Sequence, residues 1–188
     1  MLEPKFSAES ELVTLDCDQS RFSVRTLVRR IRLSVRLRPA SIADSLALAR
    51  FGTSLIMNRY WASEYCETAR FGPDEWALSS RHQSTLESDL AAALPICSHS
   101  IVDISQRDVG LVVSGTEARQ VINTACALDL RDASFPAMSA TRTLFGKIQI
   151  VLIKPSEENT YYIECSRSYR EYLLEHLAKS ARSTLPLQ

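Results

Sequence analysis

Residues 69–80 read ARFGPDEWALSS. Gly72, Pro73 and Asp74 form a turn signal between two short stretches with strand character, YCETARF before it and EWALSS after it. Asp74 and Glu75 stand side by side, as an acid–base pair would be spelled. Catalytic carboxylate pairs oppose each other across a pocket roughly 5–10 Å wide. Neighbouring residues on a strand point to opposite faces instead. An aspartate at such a turn caps nearby backbone amides. The stretch therefore reads as a hairpin, with Trp76 and Leu78 facing a core.

Outward from this hairpin the same grammar recurs. RRIRLSVRLR, residues 29–38, alternates with period two. Ile31, Leu33, Val35 and Leu37 lie on one face, and Arg30, Arg32, Ser34, Arg36 and Arg38 on the other. Pro39 ends the strand, and Ser41 with Asp44 opens a helix that runs towards Gly52. Residues 53–63 show no period. RHQSTLESDLAAAL, residues 81–94, is a second helix closed by Pro95. The chain then starts over. HSIVDIS (99–105) and VGLVVSG (109–115) are strands about a turn, and TEARQVINTAC (116–126) is a helix behind a Ser/Gly/Thr cap. TRTLFGKIQIVLIKP (141–155) reads as one long strand, PSEENT as a loop and YYIECS as its partner. In that partner Tyr161 and Tyr162 alternate, so one packs and the other stays wet. A last helix covers 168–181, with capping-box spacing at Ser168 and Glu171.

RLRPASIADSLALA (36–49) occupies the place of VVSGTEARQVINTA (112–125), and ARFGPDEWALSS that of KPSEENTYYIECS (154–166). The repetition is one of organisation rather than of residues. It predicts an α+β fold of two pseudo-repeated strand–strand–helix–strand–strand–helix units, antiparallel sheets covered by helices. The expected boundaries are an N-terminal extension over 1–28, a first half over 29–95 and a second half over 96–188, together one compact domain.

Composition narrows the function classes. With 188 residues, 45% of them hydrophobic and 23% charged, the chain has the make-up of a soluble globular protein. Twenty-two basic and 22 acidic residues give a formal net charge of zero, which offers nucleic acid or an anionic membrane no global attraction. No apolar run approaches the roughly 18 residues of a membrane span. The N-terminus lacks the basic-then-apolar pattern of a secretory signal, which makes the cytoplasm the expected compartment. Cys17, Cys66, Cys97, Cys126 and Cys165 are widely spaced and odd in number, as buried reduced thiols are. Neither they nor His82, His99 and His176 show zinc-ligand spacing.

The arginine strand is the strongest local charge feature, since residues 21–38 hold seven arginines and no acid. Three readings stay open for it. It is a solvated face, paired in part with the acidic segment before it; a protein interface; or a grip on an anionic ligand. Gly115 lies between a strand and a helix, but no phosphate-loop pattern surrounds it, so helix capping is its reading. Neither Ser100 nor Ser114 sits in a nucleophile elbow. The residues spell out no catalytic constellation, as is common for a subunit of something larger.

Four blocks resemble the gamma subunit of heterotetrameric sarcosine oxidase: FGPDEWALSS at 71–80, IVDISQRDVGLVVSGTEARQVINTACALDL at 101–130, FPAMSATRTLFGKIQIVLIKP at 135–155, and YYIECSRSYREYLLEHLAKSA at 161–181. That subunit is in turn similar to the folate-binding region of aminomethyltransferases. The resemblance implies a bacterial cytoplasmic complex of alpha, beta, gamma and delta chains. Such a complex demethylates sarcosine oxidatively to glycine, yielding hydrogen peroxide and, with tetrahydrofolate, 5,10-methylenetetrahydrofolate. It places FAD, FMN, NAD, zinc and tetrahydrofolate on the other subunits. To this chain it assigns no catalytic, cofactor or metal residue, but an assembly role beside alpha. Arg30, Arg32, Arg36 and Arg38 are the candidate partner-interface residues. Two alternatives are a free-standing folate-binding module and the equivalent subunit of an N-methyl amino acid dehydrogenase, such as N-methylglutamate dehydrogenase.

Overall fold

The computed structural model describes residues 10–13, 20–27, 30–37, 51–52, 56–63, 65–81, 85–94 and 98–184. The helix expected after Ser41, together with Arg38, Cys17 and Cys97, lies outside them. The first elements are strands β1 (Ser10–Val13), β2 (Ser23–Leu27), β3 (Ile31–Leu37), β4 (Arg59–Ala62), β5 (Glu67–Gly72) and β6 (Glu75–Ser80). Helix α1 (Leu86–Ala93) and strands β7 (His99–Asp103) and β8 (Asp108–Ser114) follow. Then come α2 (Ala118–Asn123), β9 (Ser139–Phe145), β10 (Ile148–Lys154) and β11 (Thr160–Ser166). A 3-10 turn at Arg167–Tyr169 leads into α3 (Arg170–Thr184). This is an α+β fold whose recorded strand pairs are all antiparallel.

The chain divides into two units: Arg29–Gln106, and Met1–Val28 with Arg107–Gln188. In the first the strand order is β7-β3-β6-β5-β4; in the second it is β2-β8-β11-β10-β9, with β1 added outside β2. Position for position the two orders correspond, so the repeat of organisation is real. Its edges differ from the expected hairpins. β7 and β8 are neighbours in sequence, yet β7 pairs with β3 and β8 pairs with β11 and β2. Likewise β2 precedes β3 but joins β8. Each unit takes its outer strand from the segment leading into the other, which moves the boundaries from 28/29 and 95/96 to 28/29 and 106/107. Residues 23–27 are accordingly a sheet strand and not a mere extension.

In the first unit Leu33, Val35, Leu37, Trp76 and Leu78 form one apolar face, closed by Leu86, Leu90 and Leu94 from and beside α1. The hairpin at 73–74 is as expected. Gly72 pairs with Glu75 across Pro73 and Asp74, and Leu37 N–H donates to the Asp74 carbonyl at 3.0 Å. The arginine face of β3 departs from a solvated stripe: Arg30 and Arg32 are buried and Arg36 alone is exposed. Arg30 pairs with Glu67 on β5, and the backbone of Arg32 is tied to Ser105 beyond β7.

In the second unit α2 and α3 cover one face of the sheet, where Leu111, Val113, Ile150, Leu152, Tyr161 and Ile163 meet Val121, Ile122, Leu173 and Leu177. Residues 141–155 are not one strand. They turn back at Gly146 and Lys147, where Phe145 pairs with Ile148 and Gly146 adopts φ +58°. Tyr161 and Tyr162 are both buried, which corrects the expectation of one wet tyrosine. The far face of β11 carries its own apolar row, Val112–Tyr162–Ile153, across three strands. The capping box is not formed either, because Ser168 lies inside the 3-10 turn and Glu171 pairs with Arg170 at 2.6 Å.

Gly115 is explained by close approach rather than capping. At φ +122° it lies against the backbone entering β2, where Glu117 N–H donates to the Arg21 carbonyl at 2.9 Å and Thr116 N–H to that of Ser20 at 3.4 Å.

Candidate functional site

Asp74 and Glu75 stand at a hairpin turn braced by two arginines. Arg36 is the cross-strand neighbour of Glu75; its guanidinium lies 3.2 Å from that carboxylate and 3.6 Å from Asp74. On the other side, Arg70 donates to the carbonyls of Gly72 at 3.0 Å and Pro73 at 2.7 Å. Its guanidinium stacks 4.8 Å over the ring of Trp76, its cross-strand partner. These contacts hold the turn. The arrangement is a structural clamp.

Arg30 forms an ion pair with Glu67 on β5, and the backbone N–H of Arg32 is bonded by Ser105 Oγ at 2.9 Å. Of the four arginines proposed as one polar surface, Arg30 and Arg32 are enclosed by the chain, Arg36 is exposed and Arg38 lies outside the described residues. They do not form a common patch among the described residues.

Burial pushes the thiols of Cys66 and Cys165 up to about 11, so both are protonated and weakly nucleophilic at neutral pH. Cys66, Cys126 and Cys165 are free and buried, as their spacing implied. Among the described residues no group of three or more His, Cys, Asp or Glu could hold a metal ion. Lys154 is fully buried at the end of β10, on the core face, with its ammonium paired to the exposed Asp132. That pairing holds the Asp132 carboxyl below its usual range. Among the described residues no helix is long and apolar enough to cross a membrane.

The feature that stands out is apolar. Ile56, Met57, Trp61 and Tyr65 are all more than half exposed within ten residues of chain. The backbone near Trp61 and Tyr65 is tied down by hydrogen bonds. The Trp61 indole lies against Gly52, whose carbonyl accepts from Thr68 Oγ1 at 2.9 Å, and Cys66 Sγ donates to the Phe51 carbonyl at 3.2 Å. Beside it, Ser63 Oγ bridges the β4–β5 connection by accepting from Cys66 N–H at 3.2 Å and donating to its carbonyl at 3.0 Å. Ser80 Oγ anchors the Tyr65 carbonyl at 2.9 Å. Exposed aromatics fixed in place are the anchors of protein interfaces. Sequence pattern could not locate them, because large apolar residues exposed on a partly irregular segment follow neither helical nor strand period. Its one signal was that absence of period together with large apolar residues.

No curated protein matches the sequence. The fold is similar to a chain of the heterotetrameric sarcosine oxidase from Corynebacterium sp. U-96 in complex with pyrrole 2-carboxylate, at 20% identity and a TM-score of 0.82, covering 93% of this chain and 90% of that one. It is also similar to the glycine cleavage system aminomethyltransferase T from Bartonella henselae, at 12% identity and a TM-score of 0.63, with 85% of this chain covered. The chain spans only 46% of that second protein. These likenesses establish a shared fold. Residues 46–182 match the sarcosine oxidase, gamma subunit family, and with that stretch covering most of its length the chain belongs to this family.

Proposed function

We propose that this chain is the non-catalytic gamma subunit of a heterotetrameric sarcosine oxidase and acts by assembly, chiefly beside the alpha chain. The observation that carries the reading is the exposed, largely apolar surface of Ile56, Met57, Trp61 and Tyr65, which suits docking. In this reading the complex resides in the bacterial cytoplasm and converts sarcosine to glycine with hydrogen peroxide. With tetrahydrofolate the one-carbon unit leaves as 5,10-methylenetetrahydrofolate. FAD, FMN, NAD, zinc and the folate belong to the other chains. A sister complex that oxidises another N-methyl amino acid would use a subunit of the same design, since substrate contacts lie on the flavin-bearing chain.

Turnover by the assembled complex tests the non-catalytic role. Asp74→Asn and Glu75→Gln leave the hairpin backbone in place and are expected to keep kcat within about twofold of wild type. A loss of a hundredfold or more with the complex intact would put chemistry on this chain. The likeness to aminomethyltransferase T supports one rival, a free-standing folate-binding module. Titration of the isolated chain with tetrahydrofolate separates the two. Saturable binding by the lone chain supports the module, and none supports the subunit.

A further inference from the structure

β7 closes one side of the Arg29–Gln106 unit, and in its sequence, HSIVD, Asp103 is the one formally charged side chain that guards the edge. It carries no lysine, no proline and no bulge, since its register with β3 is unbroken from Leu33↔Asp103 to Leu37↔His99. Ile104 N–H donates to the Arg32 carbonyl at 2.8 Å, which fixes the phase of the ladder. Ser100 and Val102 therefore turn their N–H and C=O groups towards β3, while Ile101 and Asp103 turn theirs away. Among the described residues nothing bonds these outward groups. Val102 is about half exposed, at 49%, on the upper surface of the same edge.

The repeat within the chain indicates what such an edge accepts. β7 holds the position in its unit that β2 holds in the other, and the outer edge of β2 is covered by β1. That cover is an antiparallel strand running from Ser10↔Leu27 to Val13↔Val24.

We infer that the outer edge of β7 is where a partner chain of the complex adds an antiparallel strand, the counterpart of β1 in the other unit. The inference rests on the assembly reading above and names one docking site within it. Only a polypeptide supplies main-chain donors and acceptors at the two-residue repeat presented by Ile101 and Asp103. The Asp103 carboxylate is held ionised by the O–H and N–H of Ser105. A lysine or arginine opposite it, and an apolar residue beside Val102, would complete the incoming strand.

Amide hydrogen exchange tests this on the full chain, alone and in the complex formed with co-expressed alpha, beta and delta chains. In the free chain Ser100 and Val102 should already be protected, and Ile101 and Asp103 should exchange quickly. On assembly the exchange of Ile101 and Asp103 should slow at least about tenfold. Ile101→Pro removes an outward donor without touching the bonds to β3. It should lower the share of this chain recovered in the complex about tenfold, while Ile101→Val retains it. A stable complex in which the two amides exchange as in the free chain overturns the inference and leaves the assembly reading standing. So does protection that rises with concentration in the isolated chain, which assigns the edge to a second copy. Failure of any complex to form, seen by size exclusion before exchange is measured, removes both.

Discussion

Replacing Trp76 by alanine is expected to cost roughly 3–5 kcal/mol, enough to leave the Arg29–Gln106 unit largely unfolded at moderate temperature. Trp76 is the largest fully buried side chain and packs among Leu33, Val35, Leu78, Leu86 and Leu90. Its loss leaves a cavity that strands paired on both sides cannot collapse to fill. It also removes the platform on which Arg70 stacks while holding the carbonyls of Gly72 and Pro73. The hairpin turn loses its clamp together with its core. The indole N–H finds no acceptor among the described residues, so Trp76→Phe should keep most of the stability. Urea unfolding followed by far-UV circular dichroism reads both variants. An alanine variant as stable as the phenylalanine one would contradict this account of the core.

The second large effect is expected at Gly115. A Cβ there would press on the Arg21 carbonyl oxygen and lie 2.8 Å from Phe22 N, and neither backbone atom can rotate away. The φ of +122° adds strain of about 1–3 kcal/mol for any L side chain. Gly115→Ala should therefore push the segment entering β2 off the sheet. Phe22 would leave the core, and the pairing of Ser23–Leu27 with β8 would loosen. Hydrogen exchange should show amides of residues 23–27 opening while those of β10 and β11 stay protected. Unchanged exchange in β2 would mean that the crossing is looser than described.

These two sites show how much the sequence disclosed. Trp76 was legible because local alternation, a Gly-Pro turn and a return strand set its burial through residues a few positions away. The same local logic revealed β3, β8 and β11. Gly115 was misread because its constraint comes from Arg21 and Phe22, more than ninety positions earlier in the chain. The exchange of β2 and β7 between units was hidden for the same reason, since period two reveals a strand but not its partner. The turn at Gly146 was missed because strong alternation ran on through both sides of it. Among the candidate interface residues, Arg30 and Arg32 alternate as solvated side chains do; Glu67 and Ser105, which meet them, lie more than thirty positions further along the chain. Trp61 and Tyr65 face neither core nor repeat, and no local pattern could mark them.

The central claim is that this chain acts by assembling rather than by catalysing. Native mass spectrometry of the chain co-expressed with alpha, beta and delta chains measures that most directly. The expected result is one four-chain species that turns over sarcosine, with Trp61→Asp combined with Tyr65→Asp leaving this chain folded but outside it. A three-chain species that turns over sarcosine at the full rate, with the wild-type chain free in solution, would contradict the claim.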